Sequence, residues 1–249
     1  MMAIIGGTGF GSLLQLTKPS SSQVDTQYGC AHIQKGTLSG KPIIFLPRHG
    51  NPPRIPPHLI NYRANIKALW DNGVTNIIAL NAVGSVDEFI KVPSLIIPNQ
   101  IIDYTNGREH TFFDDKISHI EFTNPFDDEL RQKLIEGAQG SLKLKRSGVY
   151  GCTQCPRLET AAEVRRLRKD GCDVVGMTLM PEAALARELE MAYASVCVVV
   201  NEGAGIRDDL IKFDLIKQAI EASSLSVMEA ISNVLTSTSL PKEELDTRN

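Results

Sequence analysis

Long hydrophobic runs are missing from this sequence: none approaches the ~20 consecutive apolar residues that cross a bilayer as a helix. The N-terminus lacks a charged stretch followed by an apolar leader, so a cytoplasmic protein is expected. An excess of one charge is missing too. Lys and Arg number 26 against 29 Asp and Glu, a net charge of −3, which gives no electrostatic pull toward nucleic acid or an anionic membrane. The single basic cluster, RRLRKD at 165–170, falls in an amphipathic stretch and reads as a solvated helix face. Cysteines are few and odd in number: Cys30, Cys152, Cys155, Cys172 and Cys197. Free thiols are expected. CTQC at 152–155 has CxxC spacing, but no second Cys/His pair stands at zinc-site distance, so no metal is expected there.

Linkers, internal repeats and low-complexity tracts are likewise absent, and 249 residues suit one large α/β domain. Short apolar runs predict strands at 3–7, 31–38, 41–47, 75–84, 94–105, 147–153, 173–178 and 193–201. Helical spacing predicts helices at about 58–72, 127–142, 158–170, 181–190 and 212–236. Asn124 or Asp127 is the expected cap of the second, DNG at 71–73 the stop of the first, and Pro181, followed by Glu182, a first-turn proline. Alternation of the two element types predicts a central mixed or mostly parallel sheet flanked by helices. SSS at 20–22 reads as a loop, and 241–249 as a frayed tail outside a domain of 1–240.

The glycine turn in IIGGTGFGS is the first chemical feature. Such a turn brings backbone N–H groups close to an anion, in a dinucleotide or in free phosphate. A dinucleotide fingerprint needs a third glycine opening a crossover helix. Counting from Gly7, that place holds Ser12, and LLQLTKP allows about two helical turns before a proline. The Tyr-x-x-x-Lys pair of short-chain dehydrogenases is also missing. The turn is therefore expected to hold phosphate without a dinucleotide.

Other strand ends carry polar residues in apolar surroundings: Arg48 and His49 after IIFLP, Asn81 and Ala82 in IIALNAVGS, Met177 and Thr178 after VVG. Ligands bind at the carboxyl ends of strands in open α/β sheets. Arg48 supplies a fork of donors, Thr8 and Thr178 supply hydroxyls, and backbone N–H groups near Gly7 and Ala82 complete an anion cage. Taken singly, each residue has a plain reading as a surface ion-pair partner, a helix cap or a turn residue. Their coincidence at separate strand ends favours a phosphate site.

In order, IIGGTG, PRHG, NYRANIKAL, NAVGS, DYTNGREHTFF, RLETAAEV, GMTLMPEAALARE and VVVNEGAG resemble the trimeric purine nucleoside phosphorylases and methylthioadenosine phosphorylases, from residue 3 to about 205. The resemblance implies an α/β phosphorylase domain in a homotrimer, with inorganic phosphate as co-substrate and no metal or cofactor. It places phosphate on Thr8, Arg48, His49, Asn81, Ala82 and Thr178, and Met177 against the ribose. By the same match His119, in ISHIEF, reaches a neighbouring subunit's 5′ pocket.

Base choice is expected to turn on Asn201, Glu202 and Gly203 in VVVNEG, with Glu159 in RLET. Methylthioadenosine phosphorylases resembling this chain carry two aspartates near Asn201. An amide both donates and accepts, so Asn201 serves a 6-oxo group or N7, whereas a carboxylate facing O6 sets acceptor against acceptor. Glu159 matches the position that accepts N1–H in 6-oxopurine phosphorylases, a donor that adenine lacks. The family resemblance thus implies phosphorolysis of a 6-oxopurine nucleoside, methylthioinosine above methylthioadenosine or inosine and guanosine. Asn201, Arg48 and His49 are the expected catalytic groups. A nucleoside-binding protein without turnover is the alternative of another class. Two positions depart from the family pattern: Cys155, where a glycine is usual, and Glu202, where a small residue or proline is usual.

Overall fold

The computed structural model describes residues 1–237 except 8, 11–15, 139, 141, 155, 208 and 209. Eleven strands among these residues form one sheet. Its centre is built from near-continuous apolar runs, as strands covered on both faces must be. These are β1 (Met2–Gly6), β4 (Lys41–Pro47), β5 (Asn76–Ser85) and β11 (Ala192–Glu202). On one side, β2 (Thr17–Thr26) and β3 (Gly29–Leu38) continue the sheet as antiparallel neighbours of β4.

Two strand expectations are corrected. SSS lies within β2, not in a loop. This strand is almost wholly exposed and polar, with Pro19 tolerated because it sits at the sheet's edge. Segment 94–105 is not one strand but two, β6 (Ser94–Ile96) and β7 (Gln100–Asp103), separated at Pro98. They serve different parts of the sheet: β6 pairs with β11 and with the two-residue β8 (Leu144–Lys145), while β7 pairs with β9 (Val149–Cys152).

The sheet changes partners at β5, and this creates the site. One edge of β5 is parallel to β11 along its length. The other edge pairs with β1 from Asn76 to Leu80, then with antiparallel β10 (Val174–Gly176) at Gly84 and Ser85. Asn81, Ala82 and Val83 are left between the two, without a strand on that edge.

Helices cover both faces. α1 (Tyr62–Asp71), capped by the Asn61 side chain, and α4 (Leu179–Glu188) pack on one. α2 (Asp128–Gly137), capped by Asp127, and α5 (Phe213–Thr236) pack on the other. α3 (Ala161–Lys169) begins with a reciprocal capping box between Thr160 and Glu163, and shows solvent the basic cluster that was expected to be solvated. Met180 is non-helical within α4, as a residue preceding proline tends to be, so the regular helix starts at Pro181. No described helix is long and apolar enough to cross a membrane. The expected tail at 241–249 lies outside the described residues.

Gly176 shows how tightly the strand end before Met177 is packed. A Cβ there would lie 2.0 Å from the hydroxyl of Tyr150, which is itself fully buried. Gly176→Ala is expected to lower the unfolding free energy in urea by about 3 kcal/mol, against about 1 kcal/mol for the cap variant Asp127→Ala. Equal losses for the two would contradict this packing.

Candidate active site

At the gap beside β5 lies a cavity of about 690 Å³, bounded by the C-terminal ends of β1, β4, β5, β10 and β11. Gly7 forms one wall because nothing larger fits: its Cβ would stand 2.9 Å from the Leu80 carbonyl oxygen and 3.0 Å from Arg48 Nη1. Thr8, expected beside it, lies outside the described residues, as does Cys155.

Arg48 is fully buried and paired. Its Nε and Nη2 each donate to one oxygen of Glu182 at 2.7 Å, and Nη1 donates to the Leu80 carbonyl at 3.1 Å. Tyr193 donates its hydroxyl to Glu182 Oε1 at 2.7 Å. Burial alone would lower the pKa of Arg48, but the charge and hydrogen bonds of Glu182 outweigh it and raise the pKa. Burial, joined by Glu182, likewise keeps Tyr193 protonated.

His49 follows on the same strand end, with Nδ1 2.8 Å from the Ile55 carbonyl. A carbonyl only accepts, so Nδ1 carries the proton and the neutral ring offers Nε2 as an acceptor. Burial and the neighbouring Arg48 charge push the His49 pKa below its ordinary value.

Asn81 and Thr178 are linked directly. Thr178 donates its hydroxyl to Asn81 Oδ1 at 2.7 Å, Asn81 Nδ2 donates to Ser195 Oγ at 2.9 Å, and Ser195 donates to the Ala79 carbonyl at 3.1 Å. The chain of bonds fixes two polar residues from different strands against the same wall. Ala82 lines that wall between them.

The far end of the cavity carries the expected base-reading groups. Asn201 stands after a register shift between Val199 and Asn201 in the pairing of β11 with β5. Its Nδ2 donates to the Glu202 carbonyl at 2.8 Å, and Gly84 leaves it room, a Cβ there falling 3.2 Å from Nδ2. Glu159 accepts from Thr153 Oγ1 at 2.6 Å through Oε1 and lines the same cavity. Met177 and Gly203 also line it.

Two expected residues stand elsewhere. Glu202 lines an adjoining pocket of about 450 Å³ and pairs with Arg207, because successive side chains leave opposite faces of a strand. His119 is exposed and does not line the cavity of its own chain.

Sequence reasoning missed Glu182, Tyr193 and Ser195, and also Arg108. Arg108 donates to the carbonyls of Met177 at 2.9 Å and Gln154 at 3.0 Å, and also to that of Met180, bracing the strand ends that carry the cavity wall. Glu182 had one sign available: an acidic residue opening the apolar helix AALA, in a chain that buries an arginine.

The profile of the phosphorylase superfamily matches residues 2–236. The chain belongs to this superfamily. Among similar phosphorylases, a Pseudomonas syringae protein named "Probable S-methyl-5′-thioinosine phosphorylase" is 46% identical over 94% of this chain and 97% of its own length. A "6-oxopurine nucleoside phosphorylase" of Pyrococcus furiosus is 41% identical over 92% of this chain and 90% of its own. The crystal structure of a methylthioadenosine phosphorylase from an antarctic soil metagenomic library superposes with a TM-score of 0.87 at 34% identity, covering 94% of this chain and 84% of that one. Both the family and the mixed α/β fold implied by the motifs are thereby borne out.

A histidine held neutral makes a testable contribution to stability. The unfolded chain takes up a proton at the ordinary histidine pKa of 6.5, while folded His49 resists it, so stability is lost as pH falls through that value. Between about pH 7 and about pH 5, the wild type is expected to lose more unfolding free energy than His49→Asn. Parallel pH–stability curves for the two proteins would refute a neutral, depressed His49.

Proposed function

We propose that this phosphorylase cleaves a 6-oxopurine nucleoside with inorganic phosphate, S-methyl-5′-thioinosine being the preferred substrate. The observation that carries the reading is the shared cavity: Gly7, Arg48, His49, Asn81 and Thr178 gather at one end, Asn201 and Glu159 at the other. The relatives named for methylthioinosine and 6-oxopurine nucleosides support it.

In this reading an oxygen of hydrogen phosphate bonds to C1′ as the C1′–N9 bond breaks, its electron pair leaving with the purine. The sugar passes through an oxocarbenium-like state that the phosphate's negative charge stabilises. Arg48, the backbone N–H groups near Gly7 and Ala82, and the Asn81–Thr178 pair orient the anion; the Thr8 hydroxyl joins them. His49 Nε2 accepts the phosphate O–H, whose proton ends on the departing base. Asn201 donates to N7 or O6, Glu159 accepts from N1–H, and Met177 supports the ribose. The products are hypoxanthine and 5-methylthioribose 1-phosphate, with no cofactor required. The exposed position of His119, away from its own cavity, fits a role in completing the 5′ pocket of a neighbouring copy in a cytoplasmic homotrimer.

Base release from methylthioinosine, inosine and methylthioadenosine, with and without phosphate, tests the assignment. Phosphate-dependent release fastest from methylthioinosine is expected; equal or faster turnover of methylthioadenosine overturns the 6-oxo preference. Asn201→Asp should shift the ratio of kcat/KM toward the 6-amino substrate by about tenfold, or ~1.4 kcal/mol. An unchanged ratio would remove Asn201 from base recognition.

A further inference from the structure

The buried groups at the phosphate end of the cavity carry almost no net charge. Arg48 and Glu182 are both buried, with side chains 0% and 1% exposed, and join through two parallel hydrogen bonds. Their charges cancel. His49, the other basic group at this end, is held neutral. The remaining charged side chains on the cavity wall are Arg54, exposed to solvent beside His49, and Glu159 at the opposite end.

Glu182 also sets where Arg48 can reach. A guanidinium has five N–H groups. Glu182 takes two and the Leu80 carbonyl one, which leaves one each on Nη1 and Nη2. Nη1 already packs against the glycine turn, 3.0 Å from where a Gly7 Cβ would be. The Tyr193 hydroxyl donates to Glu182 Oε1, the same oxygen that accepts from Nη2, and so helps hold the carboxylate in register.

We propose that Glu182 is a positioning residue that acts through Arg48. It fixes the guanidinium and cancels its charge, so that bound phosphate keeps its own charge for the cationic sugar. The inference rests on the phosphorolytic reading given above. A free arginine charge would grip phosphate more strongly in the ground state than in the transition state, where the anion's charge is drawn toward the sugar cation at C1′. Binding spent on the ground state lowers KM and slows the chemical step. With Glu182 in place, anion affinity at the buried wall rests on neutral dipoles and a charge-compensated arginine, and the electrostatic gain is reserved for the moment when the sugar becomes positive.

The test compares wild type, Glu182→Gln and Tyr193→Phe, measuring sulfate affinity by calorimetry and phosphate kinetics at saturating nucleoside. Glu182→Gln keeps the shape and removes the charge. It is expected to bind sulfate at least about fivefold more tightly and to lower the phosphate KM similarly, while kcat falls about tenfold or more. Looser or unchanged sulfate binding overturns the proposal, since a purely structural glutamate would loosen the site when replaced.

Tyr193→Phe keeps the charge and supplies the answer even if Glu182→Gln does not fold. Without the donated O–H, Glu182 puts more of its charge on Arg48, so the phosphate KM should rise about two- to threefold with kcat within twofold of wild type. A KM that is unchanged or lower overturns the proposal. Base release by the wild type without phosphate would instead sink the phosphorolytic reading, and the sulfate comparison would still judge the charge balance.

Discussion

An arginine can be buried at the end of a strand only if another group answers its charge. Here Glu182 does so with two hydrogen bonds of 2.7 Å, and Tyr193 donates a third to the same carboxylate. Removing one partner of such a pair leaves an uncompensated charge in the interior, which costs about 3–5 kcal/mol. The pair therefore ties β4, which delivers Arg48, to α4, which delivers Glu182, and to β11, which delivers Tyr193. The successive elements α4 and β11 and the much earlier β4 are held around one face of the cavity by one set of bonds. Thr178 stands immediately before α4, so the same attachment places its hydroxyl beside Asn81.

The second constraint is the exchange of partners along β5. A strand satisfied on both edges throughout would have no opening. Because β1 ends at Gly6, opposite Leu80, and β10 pairs with β5 only at Gly84 and Ser85, the intervening residues of β5 face a hollow already ringed by strand ends. The protein interior around it is closely packed on both sides of the sheet, so the hollow is a consequence of topology and not of loose packing.

Much of this was legible in the sequence, for identifiable reasons. Buried strands such as IIFLP and IIALN declare themselves because both faces must be apolar, and the polar residue ending each then stands out. Arg48, His49, Asn81 and Thr178 were found in that way and Asn201 through the family resemblance, and all line one cavity. β2 was not legible because an exposed edge strand owes its conformation to pairing with β3 and needs no apolar pattern of its own. The division of 94–105 was hidden because the apolar pairs on either side of Pro98, Asn99 and Gln100 read as one strand, whereas each half joins different strands. Glu182 escaped because charge compensation is a relation between positions 134 residues apart, which no local pattern encodes. Glu202 was misplaced by neighbour reasoning, since adjacency along a strand is opposition in space.

The register shift before Asn201 separates two tasks that occupy the same hollow. The residues proposed to grip the anion come from the ends of β1, β4 and β5 and the start of α4, all knitted into the core, whereas those proposed to meet the nucleobase sit at the end of β11 and on the segment carrying Glu159. On the proposed reading, mutational drift at that rim would alter which heterocycle fits while the reacting centre keeps its geometry. One scaffold can thus diversify over purines without relearning its chemistry.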